Sequence, residues 1–348
     1  MRKLLLITSV FLALFSCSKD ELGPQCLNCK ENEVVTAINT DVLIINEGNF
    51  GSGSGSISLY KSLPKTVTND VFNTTNGFTI GNVAQSAYQI DNKGYITINN
   101  SSKIEIIDIN TFASIGTIDG FNSPRYFLPI NNSKAYVTDL YSNSIQIVNL
   151  STNSISGSIA ANGWTEELII HKDTVYVCDM TNDNLLIIDP VTNSLIDSVK
   201  IGESPNSLVV DQNNKIWIMC SGGFGSTSPQ LIKFNPLTRS IESTFTFPNI
   251  SDSPGNLKIN AAKNQLYFIN QNIIKMSIDA SALNSSPFIT NNGNIFYGLD
   301  INPINEDVYI SDAIDYNQNG VIFRYSSEGT LLDQFTAGVI PGHFLFVN

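Results

Sequence analysis

Two histidines and five cysteines are all that a 348-residue chain offers for soft-metal ligation or thiol and imidazole chemistry. Cys26 and Cys29 form a lone CxxC. A tetrahedral zinc site needs two more ligands close by, and a dithiol redox site needs a strand running into a helix. Neither accompanies this pair, so a local disulfide or two idle thiols is expected. The carboxylates Glu47, Asp139, Asp179 and Asp312 end strand-like runs, and oxygen ligands of that type suit a hard divalent cation. Gly51-Ser52-Gly53-Ser54-Gly55 is followed by no Lys-Ser or Lys-Thr and opens no helix, so it reads as a loop or hairpin turn and not as a phosphate cradle. His343 has no partner that spacing can assign, and no nucleophile–base pair emerges. No catalytic residue, no resident metal and no cofactor are therefore expected.

What would position a site in this chain is a repeat. Ala135-Tyr136-Val137-Thr138-Asp139 returns as Val175-Tyr176-Val177-Cys178-Asp179, and Thr152-Asn153-Ser154 returns as Thr192-Asn193-Ser194, a period of 40 residues. Each unit carries strand and turn signals only, and a repeat of ~40–45 residues with four short strands is a propeller blade. Tyr95, Tyr136, Tyr176, Trp217, Tyr267 and Tyr309 mark the second strand of successive units, and Leu43 fills the same slot in an earlier one. After the third strand, Asp108, Asn149, Asp189, Asn235 and Asp279 recur where a side-chain oxygen can bond the backbone two residues on and fix a tight turn. Residues 340–348 match the first strand of other units, and the unit starting at Asp41 lacks its own copy. The expected fold is all-β: a seven-bladed β-propeller over residues 41–348, with the C-terminal strand closing blade one and very little helix. Cys178 and Cys220 fall at or just beyond the second strands of different blades and are expected to lie far apart.

Composition narrows the partners. Charged residues make up 14% of the chain and the net charge is −12, so no basic stripe is present to release counterions from phosphates, and nucleic acid is excluded as a partner. Arg2 and Lys3 precede an apolar run over residues 4–15 that is too short to span a bilayer, so residues 1–16 read as a signal peptide. Leu14-Phe15-Ser16-Cys17 resembles the bacterial lipobox, which implies cleavage before Cys17, lipidation of Cys17 and attachment to the outer membrane. Ser18-Lys19-Asp20-Glu21 resembles the signal that sends some Gram-negative lipoproteins to the cell surface. Residues 17–40 contain Gly23, Pro24 and mixed charge without a period, as a flexible tether would.

Tyr136-Val137-Thr138-Asp139, followed by Ser144-Ile145-Gln146-Ile147-Val148-Asn149, is similar to the YVTN repeat of YncE-like seven-bladed propellers, and the likeness covers residues 41–348. With the lipid anchor, Asn46-Glu47-Gly48-Asn49-Phe50-Gly51 in blade one resembles surface lipoproteins that partner TonB-dependent outer-membrane transporters, among them a group that captures cobalamin. This implies a surface-exposed lipoprotein that captures a nutrient, cobalamin or a related corrinoid, and hands it to a TonB-dependent receptor. A propeller of this kind builds its ligand face from the loops entering each innermost strand and those between second and third strands. The first set offers Gln85, Arg125, Tyr126, Trp164, Glu166, Asn206, Asn256, Tyr297 and His343. The second offers Asn49, Phe50, Asn100, Tyr141, Met180, Phe224, Gln271 and Tyr316, with enlarged loops at residues 221–229 and 312–320. Aromatics and amides with little charge suit a large, mostly neutral ligand with amides at its rim. Two other readings use the same face: a protein–protein adhesion or scaffold module, and a lactonase- or lyase-like propeller enzyme. The lactonase form would gather Glu47, Asp139, Asp179 and Asp312 about an ion, and the lyase form would rest on His343.

Overall fold

Runs such as Val42-Leu43-Ile44-Ile45 and Ile216-Trp217-Ile218-Met219 are apolar and rich in β-branched and aromatic residues, and as strands they bury side chains on both faces. The computed structural model describes residues 41–347, so the signal peptide, Cys17, the tether and the Cys26–Cys29 pair lie outside the described residues. Among the described residues the strands form seven four-stranded sheets, each a simple antiparallel meander. Six blades are built from consecutive strands. Blade one takes its innermost strand, Pro341–Val347, from the other end of the chain and pairs it with Asp41–Asn46. The expected closure is present, with Val42 opposite Phe346 and Ile44 opposite Phe344.

The core is divided into seven clusters, one between each pair of neighbouring blades. Strand alternation explains the division, since successive side chains point to opposite faces. Tyr95, Tyr136, Tyr176, Trp217, Tyr267, Tyr309 and Leu43 all point toward the following blade, and their immediate neighbours on the strand point toward the preceding one. The same rule corrects one expectation. Cys178 points forward from blade four and Cys220 points back from blade five, so the two free thiols share one seam. They are not far apart.

The repeated turns behave as the sequence indicates, with one shift. Asp108 Oδ1 accepts from the Asn110 N–H at 3.0 Å, and Asn149, Asp189 and Asn235 do the same for Ser151, Val191 and Leu237. In blade six the turn residue is Ser277, whose hydroxyl accepts from Asp279 N–H at 3.2 Å, so Asp279 sits two positions past the expected slot. Among the described residues, helix is confined to short pieces. The longer, Val71–Asn76, tucks Val71 and Phe72 into the seam between blades one and two.

The join between blades seven and one is tied by polar contacts as well as by the shared strand. Tyr60 donates to Asp333 Oδ2 at 2.8 Å, and Arg324 Nη1 donates to the Tyr60 hydroxyl at 3.2 Å. The backbone N–H groups of Glu47 and Gly48 donate to Ile340 and Val339.

Candidate binding site

The seven innermost strands surround a central channel: Pro341–Val347, Ala84–Ile90, Pro124–Asn131, Thr165–His171, Pro205–Val210, Gly255–Ile259 and Phe296–Ile301. Each shows a register break against its blade's second strand close to the same end. A bulge of this kind adds a residue and re-aims side chains. In consequence, consecutive residues such as Arg125 and Tyr126 both reach the same cavity.

One residue per blade occupies the slot at this break: Gln85, Arg125, Glu166, Asn206, Asn256, Tyr297 and Gly342. The ring is linked. Arg125 grips Glu166 with Nε–Oε1 at 3.1 Å and Nη2–Oε1 at 2.9 Å, and its other nitrogen donates to Gln85. Trp164 Nε1 also donates to Glu166. Gly342 is the gap in the ring, and Glu47 fills it from the blade-one loop, accepting from the Tyr297 hydroxyl at 2.9 Å. A Cβ at Gly342 would come within 2.7 Å of Glu47 Oε1, so glycine is what lets this carboxylate stand there. One layer deeper, Lys258 pairs with Glu167 at 3.3 Å.

Two connected spaces result. A cavity of about 190 Å³ is lined by Glu47, Gln85, Arg125, Tyr126, Glu167, Asn256, Lys258, Leu299, Tyr297, Gly342 and His343. Above it a bowl of about 430 Å³ shares Arg125, Tyr126, Glu167, Asn256 and Tyr297, and adds Trp164, Glu166, Met180, Asn206 and Phe224 among others. Of the residues expected from sequence, Gln85, Arg125, Tyr126, Trp164, Glu166, Met180, Asn206, Phe224, Asn256, Tyr297 and His343 line one space or both. Phe50 and Tyr141 are exposed and line neither; Tyr316 lines neither and meets the Tyr297 ring edge-on at 5.8 Å. Glu167, Lys258 and Gly342 are additions that the sequence reading missed, and they make the floor far more charged than it suggested.

The carboxylates weighed as metal ligands divide in the structure. Asp139 accepts backbone N–H bonds from Asn122, Ser123, Tyr141 and Ser142, so it pins the loops of its own blade. Asp179 is held by Asn182, and Asp312 accepts from Ile295 and Ile314. Of the four, Glu47 alone lines the channel cavity. Among the described residues, no three His, Cys, Asp or Glu side chains are placed to hold a metal ion.

Burial sets the electrostatics. It raises the Glu47 carboxyl from 4.5 to about 7, against the lowering effect of Tyr297 and Arg125. It pushes His343 down to about 3, its Nε2 lying 3.1 Å from the Ala87 carbonyl oxygen. Burial works against the Lys258 charge too, but Glu167 and Asp300 outweigh it and hold the ammonium above its usual range.

The Glu47 shift has a measurable consequence. The folded chain keeps a proton on Glu47 at pH values where the unfolded chain has released it. That contribution to stability is complete below about pH 4.5 and is lost as pH rises through about 7. Urea midpoints measured across this window should therefore decline more for the wild type than for Glu47→Gln. Parallel declines would show that Glu47 titrates normally.

A family model described as "Domain of unknown function (DUF5074)" matches residues 40–340. No curated protein matches the chain. Solved structures match in fold at low identity. A quinoprotein alcohol dehydrogenase-like protein from Bacteroides thetaiotaomicron has a TM-score of 0.69 at 16% identity, covering 90% of this chain and 80% of that one. The periplasmic gluconolactonase of Pseudomonas aeruginosa has a TM-score of 0.66 at 12% identity, covering 89% and 99%. A putative 6-phosphogluconolactonase from Bacteroides fragilis has a TM-score of 0.65 at 13% identity, covering 90% and 99%. At these identities the likeness is one of fold.

Proposed function

The chain belongs to the DUF5074 family, and from that premise we propose that it is a capture protein and not an enzyme. In this reading it is a lipoprotein anchored through Cys17 in the outer membrane and exposed at the cell surface. It holds a bulky, nearly neutral nutrient over the bowl and passes it to a TonB-dependent receptor. The ligand proposed is a cobalamin-type corrinoid.

The observation that carries this reading is the bowl itself: Trp164, Tyr126, Tyr297 and an 86%-exposed Phe224 stand beside the amides of Asn206 and Asn256. Arg125 is neutralised by Glu166 within the same wall, so a neutral macrocycle meets no unpaired charge at that point. Stacking on such rings contributes ~0.5–1.5 kcal/mol per aromatic pair beyond area burial. Rim amides of the ligand left without partners would subtract from that sum.

Calorimetry with cyanocobalamin on the full chain carrying Cys17→Ala tests it. Saturable heat is expected, with affinity at least ~10-fold weaker in Trp164→Ala and in Phe224→Ala, or about 1.4 kcal/mol each. Phe224 is chosen because its exposed ring has no core to disturb. No heat at micromolar protein overturns the corrinoid. The same Cys17→Ala chain should leave the membrane fraction, and its retention there counts against the anchor.

A further inference from the structure

The cavity below the bowl has a charge imbalance that capture at the rim does not use. Its cations are already committed, Arg125 to Glu166 and Lys258 to Glu167. Asp300, close to Lys258, adds a further carboxyl at that depth. Glu47 is left over. Its half-buried carboxylate accepts from the Tyr297 hydroxyl and has no cation within ion-pair distance among the described residues. Tyr126 lines the same cavity, and its hydroxyl has no hydrogen-bond partner among the described residues. The arrangement is built: six blades put a side chain in the ring, and blade one puts Gly342 there, where a Cβ would collide with Glu47 Oε1 at 2.7 Å.

We propose that this cavity is a subsite for a primary ammonium group, with Glu47 as its counter-ion and the Tyr126 oxygen as a second acceptor. An ammonium brings one positive charge and three N–H donors to a space that offers an unpaired carboxylate and an unpartnered hydroxyl. Tyr126 and Tyr297 also line the space. A metal ion is a poorer fit, because no three His, Cys, Asp or Glu groups converge among the described residues. An anion would find each lining cation already paired.

The subsite responds to pH. Glu47 is faced by Tyr297, Arg125 and Glu166, and shares the cavity with Tyr126, Glu167, Lys258 and His343. His343 stays neutral across the neutral range, since burial holds it at about 3. Glu47 titrates at about 7, and an ammonium ion needs its carboxylate form. Affinity should therefore drop roughly tenfold from pH 8 to pH 6.

The inference goes beyond capture at the rim, and its test uses no corrinoid, so either can fail alone. The full chain is titrated with n-butylammonium, and with n-butanol and butanoate as neutral and anionic controls of similar length. Butylammonium is expected to bind at pH 8, about tenfold more weakly at pH 6, and at least tenfold more weakly to Glu47→Gln, while neither control binds. Gly342→Ala, which displaces Glu47, should weaken binding in the same direction. Absence of butylammonium binding at tens of millimolar, equal binding of butanoate, or unchanged binding to Glu47→Gln overturns the proposal. A measurement on the wild type guards against a misfolded variant: the Glu47 carboxyl-carbon titration, followed by NMR, should move from about 7 to below 6 when butylammonium saturates. An unmoved midpoint also overturns it.

Discussion

Removal of residues 341–348 should leave a chain with no cooperative unfolding transition. The deletion takes away a whole innermost strand, including six register pairs to Asp41–Asn46 and the buried Phe344 ring. Val42, Leu43, Ile44 and Ile45 are all fully buried, and their strand would become an open edge beside the channel. Loss of a buried Phe alone costs about 3–5 kcal/mol, and a domain is held together by only ~5–15 kcal/mol. Far-UV circular dichroism on heating, together with binding of a hydrophobic dye, would read the outcome. A truncated chain that melts cooperatively at the wild-type temperature would falsify closure by this strand.

Arg125→Ala should cost about 3–5 kcal/mol, because it leaves a buried carboxylate without its counter-charge. Glu166 is 3% exposed, and its partners are the Arg125 guanidinium and the Trp164 N–H. The backbone at this position is fixed independently, since Ser86 and Thr97 hydroxyls both donate to the Arg125 carbonyl, at 2.7 and 3.0 Å. The effect therefore belongs to the side chain. The pair Arg125→Met with Glu166→Gln removes both charges and keeps an acceptor for Trp164, so it should recover most of the loss. Urea midpoints of the three chains decide the matter; an Arg125→Ala chain within 1 kcal/mol of wild type would mean that water reaches Glu166 and screens it.

The blades were legible because every unit repeats the same aromatic slot and the same Asx turn, and both follow from local chemistry: alternation along a strand and a side chain closing a hairpin. The ring slot was legible for the same reason, since Gln85, Arg125, Asn206 and Asn256 each follow the first residue of an innermost strand. Glu167 was not. It follows Glu166 directly, and simple alternation would turn it away from the channel had the bulge at the start of its strand not broken the count. Lys258, two residues past Asn256, was within reach of alternation. Glu47 was considered for a metal, but its place in the ring depends on Gly342, nearly 300 residues away in sequence, and pairing at that distance is not visible in a local pattern. The shared seam of Cys178 and Cys220 was within reach. Cys178 is two residues past Tyr176 and Cys220 three past Trp217, so their opposite parity turns them toward each other across adjoining blades.

The origin of blade one's innermost strand has a consequence for the order of events during biosynthesis. Six blades can assemble from strands made one after another, but Asp41 finds its partner Val347 only when the final residues have appeared. That contact has the greatest sequence separation of any strand pair in the ring, and contacts of that kind form late and slowly. A nascent chain interrupted before residue 341 therefore carries an unsatisfied strand at the channel, ready to pair with another copy. Aggregation should be concentrated in such unfinished chains.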